Sequence, residues 1–229
     1  GGLSKVPVGV TPEMMLSVLG ITGLTAYFGM IDLGTPEPGE TVLVSGAAGA
    51  TGSVAGQIAR IKGCRVVGIA GGAAKCAWLK DEAGFDAVID YKQGNVSDQI
   101  KATCPDKVDV YFDNVGGEIL EAALNHINLR ARVVMCGGIS GYNATQPIPG
   151  PANLMNLVTM RARMEGFIIL DYMSRAPEAI KELLGWIASS ELKFQVDVQE
   201  GFDNIPDTLQ RLFTGKNLGK QLLKITDPV

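Results

Sequence analysis

Between Val42 and Arg60 the chain reads VLVSGAAGATGSVAGQIAR. Val42 to Val44 form an apolar run, Ala47, Gly49 and Gly52 stand where it stops, and Val54, Ile58 and Ile61 follow at helical spacing. A strand, a turn of small residues and a helix in that order let the backbone approach a pyrophosphate, whose charge is stabilised by the unpaired N–H groups of the helix N-terminus. Ala47 takes the first position of the usual G-x-G-x-x-G pattern, so the match is imperfect. On its own the stretch fits a dinucleotide cradle, a site for another nucleotide-like ligand, or a structural turn.

The end of the next apolar run narrows the chemistry. A dinucleotide with a free adenosine ribose meets an acidic side chain there, but this chain reads Ile69-Ala70-Gly71-Gly72-Ala73-Ala74-Lys75. Lys75 is placed to neutralise a 2′-phosphate, with the open backbone of Gly71 and Gly72 beside it. The alternative is a solvated lysine in the first turn of a helix, where a cation opposes the dipole. None of Tyr27, Tyr91, Tyr111, Tyr142 or Tyr172 is followed four residues later by lysine, which excludes a short-chain dehydrogenase. The missing acid also argues against a methyl-donor site.

Other classes are disfavoured by composition. The net charge of -4, with lysine and arginine spread along the chain, offers no stripe for a nucleic-acid backbone. His126 is the only histidine, and Cys64, Cys76, Cys104 and Cys136 form no CxxC pair, so a metal site would have to gather ligands from far apart. Scattered cysteines without a secretory signal predict free thiols and a cytoplasmic location. Met14 to Ile31 is uncharged and long enough to span a bilayer, yet Gly20, Thr22, Gly23, Thr25 and Gly29 interrupt it, and it reads as helices packed on a core.

These residues need elements to position them. With 46% hydrophobic and 19% charged residues in 229, the chain is an ordinary globular one with room for a sizeable core. Strands are predicted at Thr41 to Ser45, Arg65 to Ala70, Ala87 to Asp90, Val108 to Asp113, Ala131 to Gly137 and Met164 to Leu170, with helices starting near Ala50, Ala74, Val96 and Glu118. The alternation and the continuous apolar strands indicate a doubly wound α/β fold of the Rossmann type, a parallel sheet with helices on both faces. Ala179, Ile180, Leu183, Leu184 and Ile187 predict a later helix. Asp203 is expected to cap another, with Leu209, Leu212 and Phe213 on one face, and Gln221 to Ile225 to form a last strand. The expected division is residues 1–30 as an entry segment with packed helices, 31–190 as the nucleotide domain and 191–229 as a returning segment.

Six stretches together resemble the zinc-independent medium-chain dehydrogenases/reductases, in the branch of prostaglandin reductase, leukotriene B4 12-hydroxydehydrogenase and bacterial curcumin reductase. They are GITGLTAYFG at Gly20 to Gly29, GAAGATGSVAGQIA at Gly46 to Ala59, GFDAVIDYK at Gly84 to Lys92, YFDNVGGE at Tyr111 to Glu118, CGGISGYN at Cys136 to Asn143 and NLGKQLLKI at Asn217 to Ile225. They run in collinear order over nearly the whole chain.

The resemblance implies NADP(H) as cofactor. Gly49, Ala50, Thr51 and Gly52 would hold the pyrophosphate, and Lys75 and Tyr91 would face the 2′-phosphate. Asn114 would lie on the ribose and nicotinamide side, and Cys136, Gly137, Gly138, Ile139, Ser140 and Tyr142 would wrap the nicotinamide half. Phe167, Ile168 and Ile169 would flank the ring through backbone groups while also serving as core strand, and Asn217 would reach the cofactor from the returning segment. Tyr142 would be catalytic, its phenol bonding the substrate carbonyl or a ribose hydroxyl; otherwise it is a tyrosine in a glycine-flanked loop. Cys136 is expected to contribute backbone alone.

The implied activity is reduction of the C=C bond of small α,β-unsaturated ketones or aldehydes, without membrane or nucleic-acid partners. The alternatives are quinone reduction and a noncatalytic NADPH-binding module. No cysteine falls in GITGLTAYFG, where zinc-dependent relatives place a ligand, so no metal is expected. Relatives open with a GroES-like catalytic domain of about a hundred residues, and Gly1 to Val10 corresponds to the crossing out of it. The expectation is therefore a fragment that binds NADPH but turns over poorly, with apolar surface exposed on Gln199 to Lys224. A homodimer is expected through Met164 to Leu170, whose edge would otherwise stay open.

Overall fold

The computed structural model describes residues 6–7 and 9–226, so most of the expected crossing at its start lies outside the described residues. Helices α1 (Pro12–Leu16) and α2 (Ile21–Phe28) lead into a π-helical turn, Gly29–Gly34. Alternation then begins with β1 (Thr41–Val44), α3 (Ala50–Ile61), β2 (Arg65–Ala70), α4 (Ala73–Asp81), β3 (Ala87–Asp90) and α5 (Val96–Thr103). It continues through β4 (Val108–Asp113), α6 (Gly117–Leu124), β5 (Ile127–Met135), α7 (Met155–Thr159) and β6 (Arg163–Gly166). Helix α8 (Ala176–Ala188), β7 (Val196–Glu200), α9 (Ile205–Phe213) and β8 (Lys220–Lys224) complete the described chain.

The six strands β1 to β6 form one parallel sheet in the order β3-β2-β1-β4-β5-β6. Successive side chains point to opposite faces, so the sheet needs a core on each side. Val42, Val44, Val66, Val110 and Phe112 join α2, α3 and α8 in one core. Leu43, Val67, Ile69, Tyr111 and Val133 join α5 and α6 in the other. Strand order reverses between β1 and β4, the position at which folds of this kind bind ligands beyond the carboxyl ends of their strands.

The uncharged stretch Met14 to Ile31 breaks into two short helices and the π-helical turn, with Leu19, Leu24, Tyr27, Phe28 and Met30 buried. No helix among the described residues is long and apolar enough to cross a membrane. Arg132 of β5 secures the turn's end, donating to Gly34 O at 2.9 Å while its guanidinium pairs with both oxygens of Glu40.

Several expected boundaries are corrected. Strand β5 begins at Ile127, ahead of Ala131, because its first residues continue the pairing with β4 past an irregularity. The sixth strand ends at Gly166, where its pairing with β5 stops; Phe167 and Ile168 leave the sheet, and Ile169–Arg175 forms a 3-10 turn. Asp203 does not cap α9, since it lies inside a 3-10 turn, Phe202–Asn204, and Asn204 occupies the cap position with its side chain donating back to Glu200 O instead of capping the helix. The last strand starts at Lys220 and pairs in parallel with β7, apart from the main sheet. Phe202, Ile205, Leu209 and Phe213 are exposed there, as expected of the returning segment.

Candidate functional site

The turn after β1 sits at the point of strand reversal. Gly46 adopts φ 58, and a Cβ on Gly52 would lie 2.4 Å from Gly46 O, so the turn packs backbone on backbone. Ala47 N donates to Ile69 O at 3.0 Å and Gly49 N to Gly46 O at 2.9 Å, tying the turn to β2 and to itself. Gly49 is the N-cap of α3 and supplies no side-chain bond. The helix therefore opens without a side-chain cap over Ala50, Thr51 and Gly52, an arrangement suited to an anion. The returning segment closes over it, with Gly219 bridging Gly49 and its N–H donating to Ala48 O at 2.8 Å. Asn217, expected to reach the cofactor, bonds through its amide to Gly219 O at 2.9 Å and so braces this contact.

A residue not singled out from the sequence organises the neighbouring turn. Asp113 ends β4 and is wholly buried. Its carboxylate accepts from Ser45 Oγ and Tyr111 Oη, each at 2.7 Å, and from the N–H groups of Val115 and Gly116 at 3.0 and 3.1 Å. Burial pushes the Tyr111 phenol well above its ordinary range, with the Asp113 charge adding to the effect, so Tyr111 serves as a donor. Ser45 in turn accepts from Asn114 N at 2.9 Å, and Asn114 Nδ2 donates to Ser45 O at 2.7 Å. Asn114 thus stands beside the glycine turn, its place set by Asp113 through Ser45. The sequence signal was a carboxylate closing the strand VDVYFD after the apolar Val110, Tyr111 and Phe112, and followed by Gly116-Gly117.

On the expected adenosine side, a cavity of about 510 Å³ is lined by Tyr91, Asn95, Ser97, Gly116, Glu118 and Ser140, among others. Tyr91 is exposed, and its ring lies over Gly71. Lys75 is half-buried in the first turn of α4, and its ammonium donates to Gly215 O at 2.9 Å. That carbonyl, just past α9, answers the objection that a cation sits badly at a helix start. Burial and the nearby charge of Lys92 lower the Lys75 pKa.

The turn after β5 folds against the turn after β4. Cys136 N and Gly137 N donate to Asp113 O, Ile139 N to Asn114 O at 3.2 Å, and Ser140 N to Val115 O at 3.1 Å. Ser140 Oγ adds a 2.6 Å bond to Val115 O. The Tyr142 hydroxyl oxygen accepts from Gly138 N at 3.3 Å, and the side chain is 65% exposed. Because the oxygen accepts there, the hydroxyl hydrogen remains available for a further acceptor. Burial, with Asp113 adding, pushes the Cys136 thiol up to about 12.

Phe167 to Ile169 stand differently. Phe167 packs against Gly29 and meets Tyr172 edge-on, Ile168 is exposed with its carbonyl accepting from Asp171 N, and Ile169 is buried. The structure thus brings the turns at 46–52, 113–117 and 136–142 together by hydrogen bonds and adds the segment 215–219, while among the described residues no hydrogen bond ties Phe167 to Ile169 to those turns. Gln57 was also missed: fully buried, it holds Lys193 through both N–H and carbonyl and so anchors the start of the returning segment.

Residues 50–189 match the family described as zinc-binding dehydrogenase. The Bacillus subtilis (strain 168) protein YfmJ is 49% identical over 99% of this chain and 68% of its own length. The NADPH-dependent curcumin reductase of Escherichia coli (strain K12) is 40% identical over 93% of this chain and 64% of its own. CurA of Vibrio vulnificus, solved in complex with NADPH, superposes with a TM-score of 0.91 at 40% identity, covering 99% of this chain and 68% of that one. The chain thus spans about two thirds of the length of these relatives. The zinc in the family's description finds no ligand set here: among the described residues no three His, Cys, Asp or Glu side chains gather to hold a metal. By its family match and by its identity with full-length relatives, the chain belongs to the medium-chain dehydrogenases/reductases, in the branch that includes the curcumin reductases.

Proposed function

We propose that this chain forms the NADPH-binding part of an oxidoreductase that reduces the C=C bond of small α,β-unsaturated ketones and aldehydes, without zinc. The carrying observation is the α3 start without a side-chain cap at the strand reversal; the Tyr91 ring over Gly71, at the end of β2 where dinucleotide folds place a ribose-reading acid, supports the choice of NADPH. The uncapped N–H groups of Ala50 to Gly52 would hold the pyrophosphate, a role favoured by the absence of any competing side chain. Lys75 and Tyr91 would hold the 2′-phosphate, which would also offset the repulsion of Lys92. Asn114 and the turn from Cys136 to Tyr142 would orient the nicotinamide half, and Asn217 would brace the cradle from outside.

NADPH, when bound, supplies a hydride for the β-carbon of the substrate. Tyr142 would donate its free hydrogen to the substrate carbonyl, where negative charge develops, and a proton from water would complete the product. Curcumin reduction by a relative at 40% identity supports the enone class over a noncatalytic module. The proposal includes a homodimer: β6 has a neighbour on one side alone, and Met155, Val158, Ile168 and Leu170 stand exposed around it.

Fluorescence titration of the chain with NADPH and NADH tests the reading. NADPH is expected to bind more tightly, and Lys75→Ala to weaken NADPH about ten- to hundredfold, the value of one or two charge-assisted bonds, while leaving NADH nearly unchanged. Equal losses for both nucleotides would show that Lys75 does not read the phosphate. Absence of NADPH binding would overturn the reading. Product analysis with an enone and with a quinone separates alkene reduction from quinone reduction.

A further inference from the structure

An amide side chain stands buried among the apolar ones of α3. Val54, Ala55, Ile58 and Ala59 lie in the core there, and Gln57 beside them is 1% exposed, about two turns beyond Gly49. Burying an amide is costly unless its donors and its acceptor are matched. Gln57 Nε2 donates to Ser53 O at 2.9 Å and to Lys193 O at 2.8 Å, and its Oε1 accepts from Lys193 N at 2.8 Å. The side chain thus grips the Lys193 backbone by its N–H and its C=O together, as the opposite residue of an antiparallel strand would.

The residues on either side of Lys193 are held differently: Leu192 is buried, and Phe194 packs against the same core. Apolar contact is non-directional, so it presses this segment onto α3 without fixing where along the helix it sits. Hydrogen bonds do fix that, because they need a definite distance and angle. Two residues further on, Gln195 O accepts from Lys220 N at 2.8 Å. Gly219, the neighbour of Lys220, sits at φ 71, donates to Ala48 O at 2.8 Å and bridges Gly49, and a Cβ on it would run into Gln195 O. Ser53 N donates to Gly49 O at 3.0 Å, so a ring of contacts runs from Gly49 along α3 to Gln57, across to Lys193, and back through Gln195 and Gly219. We propose that Gln57 is a positioning residue for the nucleotide: by fixing Lys193 against α3, it sets where Gly219 meets the opening of that helix, and so how long a bound nucleotide is retained. This rests on the NADPH reading above. Gln57 lies about 12 Å along the helix from Gly49 and leaves the uncapped N–H groups untouched. Its loss therefore speeds release of the nucleotide and has little effect on capture.

Stopped-flow displacement of NADPH from the chain by excess NADP+ tests the role. Gln57→Met, similar in length and without the amide, is expected to speed NADPH dissociation about tenfold and to change association by less than about threefold. Gly219→Ala breaks the ring at its other end, and in that background Gln57→Met is expected to add nothing, the signature of direct coupling. Glu82→Ala removes the surface ion pair with the Lys193 ammonium and is expected to leave dissociation unchanged. Equal acceleration by Gln57→Met in both backgrounds, or an effect of Glu82→Ala as large as that of Gln57→Met, would overturn the proposal.

Amide hydrogen exchange without nucleotide separates this outcome from failure of the NADPH reading. In the wild-type chain the Lys193 and Gly219 N–H groups are expected to open as one unit, with protection within about threefold of each other and well below that of Leu43 in β1. In Gln57→Met the Gly219 N–H is expected to lose protection about tenfold while Leu43 is unchanged. Gly219 opening independently of Lys193 in the wild type, or unchanged in Gln57→Met, would refute the positioning whatever the chain binds. Dependence of Gly219 on Gln57 in a chain that does not bind NADPH would keep the positioning and refute both the cofactor reading and the retention role resting on it.

Discussion

Asp113 is satisfied by neutral donors from four residues, two hydroxyls and two backbone N–H groups, and it is wholly buried. Each of the four partners donates, so its oxygens act there as acceptors. Asp113→Asn puts an N–H where donors already converge, and unfolding in urea should show a loss of about 2–4 kcal/mol, the cost of one or two buried groups left unmatched. An unchanged midpoint would mean that the turn does not depend on those acceptors. Tyr142 presents the opposite case. Its exposure predicts that Tyr142→Phe leaves the thermal midpoint unchanged, while kcat for enone reduction falls about ten- to hundredfold with the loss of a bond to developing charge. A parallel fall in stability would mark it as structural.

At the level of elements, β1, β2, β3 and β4 were legible because each is an apolar run flanked by turn residues, and the helices following them began within a residue of expectation. Phe167 to Leu170 misled because an apolar run does not distinguish a strand from chain that buries some of its side chains in a 3-10 turn. The glycine turn was readable as a class of chemistry, but its latch at Gly219 and the Lys75 contact with Gly215 join residues remote in sequence, which local pattern does not reveal. Asp113 and Gln57 were missed for a related reason: what a buried polar side chain bonds to is a matter of tertiary packing. Two glycines in helices make opposite predictions. Gly52→Ala drives a Cβ into backbone atoms that cannot swing away, and should cost about 1–3 kcal/mol in thermal or urea unfolding. Gly185→Ala in α8 meets open space and should gain about 0.5–1 kcal/mol by helix propensity.

At the scale of the molecule, large apolar side chains stand exposed around the edge at β6 and on the outer face of α9. If β6 pairs with a second copy, lysine at Met155 and Val158 together should shift the chain from dimer to monomer in light scattering without altering NADPH affinity, and an unshifted mass would remove β6 from the interface. The latch of Gly219 on Ala48 bears on how the protein is made. Strands β1 to β6 emerge from the ribosome before residues 215–219, and domains tend to fold as they emerge. The sheet is thus able to form around a nucleotide turn that still lacks its cover. A nascent chain stalled before Gly215 should therefore hold nucleotide loosely, and the emergence of residues 215–219 becomes the event that covers the turn.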